Sequence, residues 1–157
     1  MEVYLYRNME DSVNGPVKRL IAYGEKRINF SIAAHKNMHV YITGGNMEGY
    51  ITYTAVCFSL ATHTLSIIKP MDHHRQSHGS ITIADNLYVI GGYDGSIYLD
   101  SIEVLNLTKR WYTWETLITP SFTSRSDALV TKLNSNQLLI CGGRVGNIRL
   151  PDVFLFD

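Results

Sequence analysis

Leu87-Tyr88-Val89-Ile90-Gly91-Gly92-Tyr93-Asp94-Gly95 is the stretch whose reading decides the fold. A β-branched and aromatic run ends in two glycines and then in turn residues, the pattern of a short strand that bends sharply at its end. The arrangement occurs three times. Double glycines stand at Gly44-Gly45, Gly91-Gly92 and Gly142-Gly143, spaced 47 and 51 residues apart. Arg27, Arg75 and Arg125 precede them by 17, 16 and 17 residues. Random glycine pairs would not keep that register.

Working outward, each glycine pair closes an apolar run: His39 to Thr43, Asn86 to Ile90 and Gln137 to Cys141. A third strand follows at Val56 to Leu60, Ile102 to Asn106 and Val153 to Asp157. A first strand fits between arginine and glycines: Ser31 to Ala34, Ser80 to Ile83 and Ala128 to Thr131. A last, outer strand fits Thr64 to Ile68 and Trp111 to Glu115. No amphipathic helix is evident. Four short strands in a unit of roughly 48 residues predict an all-β propeller-like array of antiparallel blades. The glycines are expected to take positive φ where inner strands crowd together.

These marks resemble the Kelch repeat. That family has an arginine before the first strand, a second strand ending in Gly-Gly, a Tyr-Asp-like pair closing the third strand and a tryptophan a few residues later. The middle unit matches best, with Arg75, Gly91-Gly92, Ile102 to Asn106 and Trp114. The other two units share the arginine, the glycines and the third strand. The Tyr-Asp pair is replaced by Phe58-Ser59 and Leu105-Asn106 and stands as Phe156-Asp157 in the third unit. Only the middle unit keeps the tryptophan; Leu65 stands near its place in the first.

The expected division is a partial Kelch-type propeller of about three four-stranded blades. Residues 1–26 would be the last two strands of a preceding blade, with a turn at Gly15-Pro16 between Val3 to Tyr6 and Val17 to Ile21. Blades would follow at 27–74, 75–124 and, incomplete, 125–157. Two, four, four and three strands do not fill a ring, so the expectation is a fragment of a longer protein, an open arc or part of an oligomer. An open arc exposes apolar blade faces that favour self-association.

Fourteen basic residues balance fourteen acidic ones, so no global field draws in nucleic acid or an anionic membrane. No run approaches transmembrane length, and the first residues lack the pattern of a signal peptide. A cytoplasmic location is the expectation. Cys57 and Cys141 sit in apolar runs and read as buried free thiols. The triplets Asn29-Phe30-Ser31 and Asn106-Leu107-Thr108 carry little weight without a secretory signal.

His73, His74 and His78 cluster, but they lead into a strand, not the helix that a zinc-binding pair would need. Gly91 to Ser96 lacks the lysine and following helix of a phosphate loop. No cofactor, metal or catalytic set is expected.

The resemblance implies a protein or peptide partner held on the loops between second and third strands. In the family such scaffolds serve as the substrate-recognition part of a ubiquitin ligase, as an adaptor, or bind the cytoskeleton. The loops span 46–53, 93–99 and 144–150. Their candidate contact residues are Tyr50, Tyr53, Tyr93, Asp94, Tyr98, Arg144 and Arg149; Tyr and Arg are the residue types that concentrate interface energy. The alternative the family allows is a sugar-active or copper oxidase-like propeller enzyme.

Overall fold

The computed structural model describes residues 2–6, 18–23, 26–109, 113–117 and 119–157. Within them the chain is all-β. The expected Gly15-Pro16 turn lies outside the described residues, as do Val17, Trp111 and Tyr112. Strands β1 (Glu2–Tyr6) and β2 (Lys18–Tyr23) pair antiparallel with a register shift between Val3 and Tyr4.

Three larger sheets follow. The first contains β3 (Ser31–His35), β4 (His39–Thr43), β7 (Ala55–Ser59) and β8 (Thr64–Ile68), side by side in chain order. A two-residue ribbon, β5 (Asn46–Met47) with β6 (Tyr50–Ile51), interrupts the connection from β4 to β7. The second sheet runs β9 (Gly79–Ile83), β10 (Asn86–Ile90), β11 (Ile102–Asn106), β12 (Trp114–Leu117). The third holds β13 (Leu129–Lys132), β14 (Leu138–Cys141) and β17 (Val153–Phe156), with the ribbon β15 (Arg144–Val145) and β16 (Ile148–Arg149) between the last two. Every neighbouring pair is antiparallel, and no strand bonds from one large sheet to another. β3, β9 and β13 run next to one another on the inner side.

The outer strand of the middle sheet differs from the expected Trp111 to Glu115: it begins at Trp114 and ends at Leu117. Trp114 pairs with Leu105, is buried, and donates its indole N–H to the Lys69 carbonyl at 2.8 Å. That anchor sets the start of the strand. Leu65 pairs with Phe58 just as Trp114 pairs with Leu105, so it does hold the tryptophan's place in the first sheet.

Side-chain alternation assigns each face. Ala33, Tyr41 and Ala55 of the first sheet meet Leu87, Val89, Leu105 and Trp114 of the second in one core cluster. Ile83, Ile90 and Ile102, on the other face of the second sheet, meet Leu138, Ile140 and Phe122. The middle sheet is thus covered on both sides, which is why β10 reads as a nearly continuous apolar run. Each such buried aliphatic side chain contributes about 1.5–3 kcal/mol.

The arginine–glycine register is a hydrogen-bonded latch. Each guanidinium Nη1 donates to the first glycine carbonyl of its own sheet: Arg27 to Gly44 at 3.0 Å, Arg75 to Gly91 at 2.6 Å and Arg125 to Gly142 at 2.7 Å. The second glycine then donates its N–H to the arginine carbonyl of the next sheet, Gly45 to Arg75 and Gly92 to Arg125, both at 2.8 Å. Gly44 has φ 55°, and a Cβ there would lie 2.3 Å from the Arg75 carbonyl oxygen. The crowding that requires glycine therefore comes from the arginine turn of the following sheet, a more specific cause than crowding at an axis.

A second inter-sheet thread lies two residues after each arginine. Asn29, Ser77 and Asp127 all take positive φ, at 53°, 53° and 57°. The Ser77 N–H donates to the Asn29 carbonyl and the Asp127 N–H to the Ser77 carbonyl, each at 2.8 Å. Both cysteines are free, but each is half-buried where full burial was expected. Burial still raises the Cys57 thiol against the lowering effect of its bond with Tyr41.

Candidate functional site

The connections between second and third strands lie at equivalent positions of the three sheets. Two fold as tight ribbons. In the first, the Gly49 N–H donates to Asn46 Oδ1 at 2.8 Å, and Thr52 N–H returns to the Gly45 carbonyl at 2.9 Å. In the middle loop Asp94 Oδ1 accepts the N–H groups of Ile97 and Ser96, both at 2.7 Å. Those bonds, Ile97 first, hold the Asp94 carboxyl below the usual range. Asp94 is therefore engaged in shaping its own turn.

Tyr93 and Tyr98 bridge each other across that loop with ring centroids 4.9 Å apart. Tyr93 also exchanges two 3.0 Å backbone bonds with Gln76, and its hydroxyl donates to the Gly95 carbonyl at 2.7 Å. Tyr53 lies against the His74 ring at 4.4 Å. Arg144 donates Nε to Asp127 Oδ2 at 2.6 Å. Burial works to raise Asp127, but bonds from Arg144, Ser126 and Ser77 outweigh it and hold its carboxyl low. Arg149 is exposed on the ribbon opposite Arg144.

Sequence reasoning passed over two residues. Tyr50, Ile97 and Ile148 each stand six residues after the first glycine of their unit. All three point into solvent, with 81%, 60% and 68% of their surface exposed. One apolar side chain per sheet, at one repeat position, makes a recurring row of loop tips. Aligning the three units on their glycines would have found it. Beside Tyr50, a 570 Å³ cleft reaches Met47, Ile51, Lys26 and His74.

Beneath the loops the buried arginines are satisfied differently. Glu103 is fully buried and bonds Arg75 Nη2. Arg27 Nη2 donates to Thr54 Oγ1 at 3.2 Å. Arg125 Nη2 bonds Asp152 Oδ2 at 3.2 Å, and its guanidinium lies 4.6 Å from the Phe154 ring centre. His78 sits buried between the first two sheets, its Nε2 2.9 Å from Thr43 Oγ1. Burial, then the Arg75 cation, pushes His78 from 6.5 down to about 3. Among the described residues no group of three or more His, Cys, Asp or Glu side chains could hold a metal ion, and no helix is long and apolar enough to cross a membrane.

Of the three arginine-to-carbonyl latches, the middle one, Arg75 to Gly91, lies within the residues that match a known family. The Kelch motif family matches residues 74–113, which hold Arg75, the Gly91-Gly92 pair and strand β11. The middle sheet carries a Kelch motif, and the sheets on either side repeat its arginine-to-glycine latch. A human relative, Kelch-like protein 7, is 30% identical over 60 residues. The match takes in 38% of this chain and spans about a tenth of that relative's length. The matched middle blade holds Arg75 and Gly91-Gly92, with Trp114 just beyond the match, and the flanking sheets repeat the latch.

Proposed function

We propose that this chain is a protein-interaction module that contacts its partner through the loop tips between second and third strands. The observation that supports this reading is the row Tyr50, Ile97 and Ile148. A large apolar side chain left in water at the same position of three blades does no work for the fold and suits a partner's apolar surface. Tyr53 and Arg149 flank the row. Tyr93, Asp94, Tyr98 and Arg144 shape the loops beneath it.

The test is affinity capture with the wild-type chain, with Tyr50→Ser/Ile97→Ser/Ile148→Ser, and with Arg144→Ala/Arg149→Ala. Proteins recovered by the wild type and lost with the triple variant support the reading. Recovery undiminished by both variants counts against it. Substrate capture for a ubiquitin ligase and attachment to the cytoskeleton are the narrower uses, separated by whether ligase subunits or actin come down with the chain. Self-association is a third. Leu129, Val153 and Leu155 lie exposed on the third blade, and sedimentation of Leu129→Lys/Leu155→Lys against wild type tests it.

A further inference from the structure

The first blade's loop is held by a residue buried inside the second blade. Three successive loop carbonyls, Ile51, Thr52 and Tyr53, all end on donors from the connection that leads from the first blade into the second. His74 Nδ1 donates to Ile51 at 2.8 Å, Arg75 N–H to Thr52 at 3.2 Å and Met71 N–H to Tyr53 at 2.9 Å. A carbonyl only accepts, so the His74 proton sits on Nδ1. The Tyr53 ring lies on the same imidazole. Besides the Thr52 N–H bond to Gly45 of its own blade, the loop is thus tied through three carbonyls to residues 71–75.

Those residues are in turn gathered by one carboxylate. Glu103 Oε2 accepts the Asp72 N–H at 2.6 Å. Its Oε1 accepts the His73 N–H at 3.1 Å, lies 3.0 Å from His73 Nδ1, and meets Arg75 Nη2. Glu103 has no exposed surface. Bonds to an ionised acceptor in such a site are the strong kind. We infer that Glu103 is a positioning residue for the 50–53 loop: it fixes residues 72–75 from within the second blade, and they fix the loop of the first.

The next junction supplies an internal control. Arg125 N–H donates to the Leu99 carbonyl at 3.1 Å, the counterpart of Arg75 to Thr52. There, however, Phe154 stands twelve residues after Gly142, where Glu103 stands twelve after Gly91. A phenyl ring accepts no backbone N–H of this kind, so the middle loop lacks the carboxylate tether. The inference concerns loop position and stands apart from whether the loop binds a partner.

Amide hydrogen exchange on the full chain tests it. Glu103→Gln is expected to speed exchange at Asp72 and His73 about tenfold or more. Met71, Arg75 and Thr52 should follow, while Ser126, Arg144 and Leu150 of the third blade hold their wild-type rates. If Glu103→Gln does not fold, Glu103→Asp keeps a charge for Arg75 but falls one methylene short of the linker amides, and the same pattern is expected. His74→Ala removes only the outer link, so it should release Thr52 and leave Asp72 and His73 protected. The inference is overturned if Thr52 keeps its protection in the Glu103 variants, if third-blade amides accelerate by the same factor, or if His74→Ala frees Asp72 and His73.

Discussion

Phe154 occupies in the third blade the place that Glu103 occupies in the second, and each covers the buried arginine of its own blade. Glu103 does so with charge, through a direct bond to Arg75. Phe154 does so with its ring face, 4.6 Å from the Arg125 guanidinium carbon. The latch to the glycine carbonyl is unchanged in both. One backbone device therefore tolerates two chemistries around it, with different consequences for mutation.

Arg75→Met should destabilise the chain by about 3–5 kcal/mol, because it strands Glu103 as an uncompensated buried charge. Arg125→Met should cost less, about 1–3 kcal/mol, since its carboxylate partner Asp152 keeps 46% of its side-chain surface in water. Urea titration of both variants checks the order; equal losses would contradict it.

His78 makes stability depend on pH. Its folded value of about 3 lies below the ordinary 6.5, so the unfolded chain takes up the proton first. Its contribution is therefore complete above about pH 6.5 and is lost as pH falls toward 3, at a slope of about 1.4 kcal/mol per pH unit. His78→Gln should flatten that slope between pH 6.5 and 4.5, measured by urea midpoints across the range.

Gly44→Ala should cost more than about 3 kcal/mol, since its Cβ would stand 2.3 Å from the Arg75 carbonyl oxygen. Gly49→Ala also carries a positive φ but meets nothing within 4 Å. Only conformational strain applies there, about 1–2 kcal/mol. Thermal melts of the pair separate the contact from the strain.

Trp114→Ala should cost about 3–5 kcal/mol by opening the core shared with Tyr41, Leu87 and Leu105. Trp114→Phe should recover most of the packing and lose the bond to the Lys69 carbonyl. Denaturant midpoints for the two variants measure the difference.

Strand order and about half of the strand ends were legible in the sequence because apolar alternation and the Arg-to-glycine spacing report the same period, while Val56 to Leu60 and Ala128 to Thr131 each miss by one residue. His39 to Thr43, Asn86 to Ile90 and Ile102 to Asn106 agree with the structure end to end. Glu103 was not legible as a buried residue. A glutamate reads as surface until the repeats are aligned and Val56 and Phe154 show that its position is apolar. Ile97 and Ile148 failed in the opposite direction, since an isoleucine in a loop reads as core-facing. Each is exposed because neither the four-residue turn that holds Ile97 nor the two-residue strand that holds Ile148 has an inner face on which to place it. The positive-φ thread was hidden as well: Asn29, Ser77 and Asp127 share only small polar character, and their bonds join separate blades.

The direct test of the loop-tip account is site-specific photo-crosslinking, with a photoreactive amino acid placed in turn at Ile97, at Ile148 and at Asn136 in the turn between β13 and β14. The account predicts partner adducts from positions 97 and 148 and none from 136. Adducts from 136 alone would contradict it.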